Sequence, residues 1–204
     1  MVGRPKTLDK EHALLTALEG YWRKGVYGMS VNEVCRRACI SKPGLYREFG
    51  GEDGLLAAVL NLYRETVVAR FKEHLEGNHP FLESMQLFIK TFFRETGHPP
   101  GCLLAEYRLA YQDLGEASKR MVSVAVEEYR GILKAWLGRC KKRGEIAENT
   151  DLDFAAQYID TQLFQAATVT SRGGDRDLIA QNFLTSIRVF MSPETTLAKG
   201  NEPA

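Results

Sequence analysis

The chain has 204 residues, with 27 Lys and Arg against 26 Asp and Glu and a net charge of +1. Hydrophobic residues make up 44% and charged residues 26%, which excludes wholesale disorder or a fibrous chain. A chain of this size buries roughly 70% of its unfolded surface, enough for one large domain or a small one fused to a larger one.

The charge is unevenly spread. Residues 1–50 carry 9 basic and 5 acidic side chains, a balance of +4, while residues 51–204 carry 18 and 21, a balance of −3. The neutral total therefore excludes a protein that is basic all over, but leaves room for a basic head on a slightly acidic body. Cys35, Cys39, Cys102 and Cys140 are too few for a disulfide scaffold and fit a reduced, cytoplasmic chain. No His lies between residues 30 and 60 to complete a zinc site with Cys35 and Cys39. No metal and no cofactor is expected. A membrane span needs roughly 20 mostly apolar residues, and the apolar runs here, such as Leu55 to Leu60, are far shorter. The N-terminus has no apolar stretch of signal-peptide length.

In chain order, the spacing predicts helices nearly throughout. A first helix runs from about Leu8 to Lys24 and stops at Gly25, which suits a left-handed cap. Ser30-Val31-Asn32-Glu33 has the form of a capping box, in which Ser accepts from the amide three residues on and Glu reaches back. About two turns follow, with Val31, Val34, Cys35 and Ala38 inward. A tight turn spans Cys39 to Ser41, and Ser41 caps the short helix KPGLYREF, packed through Leu45, Tyr46 and Phe49. Pro43 lacks an amide hydrogen, so Ser41 must cap through Gly44. Two short helices across a tight turn, in about residues 30–49, form a helix-turn-helix whose second helix fits the major groove of DNA.

Further helices are expected at Glu52–Leu75, Phe81–Phe93, Leu103–Gln112, Glu116–Arg143, Asp151–Ser171 and Asp175–Met191. The fold class is all-α, with about nine helices. The last two are apolar on more than one face. Deep burial within the chain explains this, and so does a second buried face against another subunit. The candidates for such a dimer interface are Tyr158, Leu163, Ala166, Ala167, Phe183, Ile187 and Phe190. The polar tail, residues 193–204, is expected to fray.

The stretch SVNEVCRRACISKPGLYREFGGEDGLL resembles the DNA-binding domain of the TetR family of bacterial transcriptional regulators, over about residues 8–60. The caps, the turn and Leu-Tyr-x-x-Phe in the second helix carry the likeness. It implies a flexible basic arm at 1–7, a three-helix DNA-binding domain at 8–53, and a helical ligand-binding and dimerisation domain at 54–192. It also implies a homodimeric repressor on double-stranded operator DNA, released by a small-molecule effector, and not an enzyme. The implied DNA contacts are Val31, Asn32, Ser41, Lys42, Pro43, Gly44, Tyr46 and Arg47. In the arm, Gly3-Arg4-Pro5-Lys6 either lies extended in an AT-rich minor groove through Arg4 and Lys6 or is a disordered tail with incidental charge. For Tyr46, packing competes with a phosphate contact. Arg36 and Arg37 are either DNA contacts or solvated charges.

Cys39 stands where the family's turn usually has Gly, at a cost of about 1 kcal/mol if its backbone is left-handed. Glu52 and Asp53 favour their own helix dipole but repel DNA. Phe88, Phe92, Cys102, Tyr107, Tyr111, Tyr129, Gln162 and Gln165 are ligand-site candidates, each competing with a role in the core. Two alternatives remain: a thiol-responsive regulator sensing through Cys102 or Cys35/Cys39, and an enzyme built on a helical bundle. None of the four His falls in a metal or triad motif, which disfavours the second.

Overall fold

A computed structural model describes residues 9–91 and 98–192. Arg4, Lys6, Phe92, the arm and the polar tail lie outside the described residues. The α-helices are α1 (Lys10–Lys24), α2 (Val31–Arg37), α3 (Lys42–Phe49), α4 (Glu52–Tyr63), α5 (Ala69–Glu76), α6 (Phe81–Ile89), α7 (Leu103–Leu109), α8 (Glu116–Lys142), α9 (Leu152–Ser171) and α10 (Arg176–Ile187). A π turn, Arg64–Val68, joins α4 to α5. Counting those three as one continuous helix, the described residues hold nine. The only β feature among them is an isolated antiparallel bridge between Ile146 and Met191. None of these helices is long and apolar enough to cross a membrane.

The chain forms two compact units. The first comprises residues up to Thr66 with Leu103–Ala125, and the second comprises Val67–Cys102 and Val126 onward. The first is larger than the 8–53 span expected for a DNA-binding domain, because α4 and α7 share its core. Ala13, Ala17 and Tyr21 of α1, Leu55, Val59 and Leu60 of α4, and Leu103 and Tyr107 of α7 are all buried there. Trp22 meets Tyr63 edge-on at 5.0 Å. The Tyr107 hydroxyl donates to the Leu56 carbonyl at 2.9 Å.

In the second unit, Phe71 stacks on Tyr129 at 4.6 Å and meets Phe88 edge-on at 4.8 Å. Phe81 stacks on Trp136 at 5.1 Å. The α6 N-terminus has no local side-chain cap; instead the Glu145 carboxylate accepts from the Phe81 amide at 2.8 Å. Helices α9 and α10 pack as a pair, with Ile159, Leu163, Ala166, Phe183 and Ile187 buried within the chain. Arg130 of α8 donates to the buried Asp160 of α9 at 2.8 Å.

Some local expectations change. Gly25 ends α1 at φ 76, on the left-handed side that favours glycine as expected, but with ψ 165, outside the helical αL cap. The helix from Glu52 widens at Arg64–Val68, where the Thr66 hydroxyl donates back to the Leu62 carbonyl at 2.7 Å and so competes in the backbone ladder. The segment after α7 tightens to a 3-10 turn at Tyr111–Asp113 instead of continuing the helix to Gln112. α10 stops at Ile187, because the following backbone pairs elsewhere: Ala147 donates to the Phe190 carbonyl at 2.9 Å, and Ser192 to that of Glu145 at 3.2 Å.

Candidate nucleic-acid interface

The caps foreseen in the sequence build the head. The Ser30 hydroxyl accepts from the Glu33 amide at 3.3 Å, and the Ser41 hydroxyl from the Gly44 amide at 3.2 Å. Between them the turn closes through the Ile40 amide, which donates to the Cys35 carbonyl at 3.0 Å. Cys39 sits at φ 54, the left-handed conformation that costs a side-chain-bearing residue about 1 kcal/mol. Val34 and Leu45 are fully buried and lock α2 and α3 onto the core.

That anchoring turns one face of α3 outward. Ser41, Lys42, Pro43, Tyr46 and Arg47 are exposed. The Lys42 ammonium lies 5.5 Å from the centre of the Tyr46 ring, so charge and phenol share one face. Among the described residues Arg47 makes no ion pair, while the neighbouring Glu48 is neutralised by Lys10 at 3.0 Å. Asn32 is exposed at the start of α2. Val31 and Gly44 are buried, so neither stands on the exposed face with Lys42, Tyr46 and Arg47.

Glu33 does not reach back to complete the capping box. Its carboxylate accepts instead from Arg36 at 2.7 Å and from Arg37 at 2.6 Å. Hydrogen bonds from Arg36 first and Arg37 second pull its carboxyl down to about 2. The two arginines are thereby committed within α2. A guanidinium is a stronger donor than the single amide a capping box offers, which the spacing rule does not weigh.

Asp53 is also not a bare negative charge facing DNA. Its carboxylate accepts from the Ala117 amide at 2.8 Å and the Ser118 amide at 3.0 Å, capping the N-terminus of α8. The Ser118 hydroxyl bonds both the carboxylate and, at 3.1 Å, the Asp53 carbonyl. Burial raises its pKa, but the Ser118 hydroxyl and the two amides outweigh burial and hold it below its ordinary value. No sequence rule pairs residues this far apart.

With the head described, its relatives can be placed. Residues 13–59 match the family model of bacterial regulatory proteins of the tetR family. The HTH-type transcriptional repressor ComR of Escherichia coli K12 is 26% identical over 92% of this chain and 91% of its own length. Residues 13–59 thus carry a DNA-binding domain of the TetR family, and the chain as a whole is similar to a TetR-type repressor. Solved TetR-family-like folds agree with it along the chain. The reduced form of E. coli NemR superposes with a TM-score of 0.77 at 17% identity, covering 89% of this chain and 96% of that one. A cysteine-substituted form of the TetR-family regulator CifR, in complex with 26-bp double-strand operator DNA, superposes at 0.73 and 21% identity, covering 91% and 98%.

The ligand candidates within the described residues fall in both units. Phe88 and Tyr129 meet at Phe71 in the second unit. Gln162 and Gln165 line a groove of about 180 Å³ between α9 and α10, with Val169, Leu178 and Phe183. Tyr107 is committed to the core of the first unit, and Tyr111 is exposed there with the Lys119 ammonium 5.9 Å from its ring. Cys102 is half-buried. Cys35 is buried and its thiol pushed up by burial; Cys140 is buried and pushed up to about 12, by burial first and Glu145 second. Cys39 is exposed. No group of three or more His, Cys, Asp or Glu among the described residues is placed to hold a metal.

The interface candidates lie on α9, α10 and the 3-10 turn Arg188–Phe190 that follows. Leu163, Ala166, Ala167, Phe183, Ile187 and Phe190 are buried within the single chain, and Tyr158 is half-buried against Phe190 at 5.4 Å. The apolar side chains left outside are Phe154 (61% exposed), Val169 (40%), Leu178 (54%) and Val189 (72%).

Proposed function

We propose that this regulator is a homodimeric repressor that reads a near-palindromic operator with two copies of α3 and is released by a small apolar effector. The observation that carries the reading is the outward face of α3, where Lys42, Tyr46 and Arg47 stand exposed on a helix anchored by buried Leu45. Lys42 supplies a point charge to phosphate, Tyr46 a hydroxyl, and Arg47 a fork that fits a guanine edge. Ser41, Pro43 and Asn32 flank the contact. Gly44 and Val31, being buried, drop out of the contact, and the arm residues Arg4 and Lys6 reach an adjacent minor groove.

Dimerisation uses the outer face of α9, α10 and the 3-10 turn Arg188–Phe190 that follows, with Phe154, Leu178 and Val189 now the central candidates. Exposed apolar side chains of this size on paired helices support it. The effector favours a DNA-incompetent arrangement and shifts the population toward it. The repressor name of ComR and the operator complex of CifR agree with this reading. The test is selection of bound sequences from random duplex DNA, followed by a metabolite screen for release. Enrichment of one inverted repeat supports the reading; recovery of unenriched DNA at every salt concentration refutes it.

A further inference from the structure

Recognition helix α3 joins α4 through Gly50 and Gly51 alone, at φ 74 and 113. These are conformations that glycine adopts freely, so the link itself does little to fix the direction of α3. The α4 N-cap, Gly51, provides no side-chain cap either. Besides buried Leu55, what holds the first turn of α4 is the bond set between Asp53 and the first turn of α8: two amides and one hydroxyl on the carboxylate, and the same hydroxyl on the Asp53 carbonyl.

Two close approaches show how tightly this point is seated. A Cβ on Gly115 would lie 2.3 Å from the Asp53 carboxyl carbon. A Cβ on Gly54, the next residue in α4, would lie 1.7 Å from the carbonyl oxygen of Phe49, the last residue of α3. The path from Ser118 to the end of α3 therefore runs through the Asp53 carboxylate and then through the close backbone approach of Gly54 to Phe49.

We propose that the Asp53–Ser118 clasp is a positioning device for DNA binding, fixing the pose of α3 through the first turn of α4. This rests on the DNA-binding reading above. Asp53 touches no DNA; it acts through Gly54 and Phe49. Its charge lies at the positive ends of two helix dipoles, α4 and α8, which makes it a better clasp than a neutral side chain.

The experiment measures affinity for the duplex that the wild-type protein itself enriches from random DNA, at a temperature where each variant is fully folded by circular dichroism. Ser118→Ala removes the hydroxyl. Gly115→Ala keeps every donor but pushes Asp53 away. Both are expected to weaken binding by about 2- to 30-fold and to speed amide hydrogen exchange in α3, while Ser118→Thr stays close to wild type. Unchanged affinity in a folded Ser118→Ala protein overturns the proposal, as does weaker binding without faster exchange in α3. Should Gly115→Ala fail to fold, Ser118→Ala and the exchange measurement decide. If the wild-type protein enriches no sequence, the DNA-binding reading and the clasp fall together; if it does and the variants match it, only the clasp falls.

Discussion

The Lys42 ammonium lies 5.5 Å from the centre of the Tyr46 ring, one turn further along α3. The ring holds the lysine on the exposed face instead of leaving it to sweep through solvent. Lys42→Ala should weaken operator binding uniformly across sequences and lower the salt slope by about 1. Tyr46→Phe keeps the ring and should cost about 1 kcal/mol of binding with the slope intact. Titrations at several salt concentrations check both, and an unchanged slope for Lys42→Ala rejects the phosphate contact.

Glu33 restrains two nearby cations. Glu33→Gln should free Arg36 and Arg37 for phosphate and steepen the salt slope by up to about 2. The Glu33 carboxyl is held at about 2, so the pairing is complete above its ordinary 4.5 and is lost only as pH falls through the lower value. Operator binding near neutral pH should therefore show no inflection from this group. A slope no steeper in the variant counts against the restraint.

The clasp has a pH signature of its own. The Asp53 carboxyl is depressed below 3.8, so its stabilisation is present above that pH and lost as the pH falls through the folded value. Ser118→Ala should cost about 1 kcal/mol at neutral pH, reduced from the full charged-bond figure by solvent screening. The difference between variant and wild type should shrink in urea melts below pH 3.8. A difference that persists there assigns the loss to packing.

Cys39 carries a backbone conformation suited to glycine. Cys39→Gly should stabilise the head by about 1 kcal/mol in thermal or urea unfolding, less the extra chain entropy that glycine brings to the unfolded state. Maleimide should label Cys39 in the folded protein, while buried Cys35 and Cys140 stay unlabelled until the chain unfolds. Rapid labelling of Cys140 contradicts the packing described.

On α9 and α10, inner and outer apolar residues should separate cleanly. Phe183→Ala removes a fully buried ring and should cost about 3–5 kcal/mol of unfolding free energy. Leu178→Glu alters an exposed side chain and should leave the chain folded while dissociating the dimer. Sedimentation velocity reports the second effect; a dimer that survives Leu178→Glu and Val189→Glu together places the interface elsewhere.

The helix-turn-helix was legible because its determinants are local. Ser30 and Ser41 cap amides three residues on, and Pro43 dictates which one Ser41 can reach. Competition between partners was not legible: Glu33 fits the capping box, yet two guanidinium groups on the same helix outbid the amide. Remote pairing was hidden for a different reason. Asp53 and Ser118 lie 65 positions apart, and nothing in either neighbourhood marks the other. Periodicity showed that α9 and α10 are apolar on more than one face, but it does not say which face meets the other helix. Phe183 and Ile187 went inward, leaving Phe154, Leu178 and Val189 outside.

The central claim is that two copies of this chain read one duplex through α3. Sedimentation equilibrium of the protein with its selected duplex tests it most directly. The account predicts two chains per duplex, on half-sites centred about one helical turn apart, roughly 10 bp or a multiple of it, with binding weakened by Lys42→Ala. A single chain per duplex, or a complex indifferent to the Lys42 substitution, contradicts it.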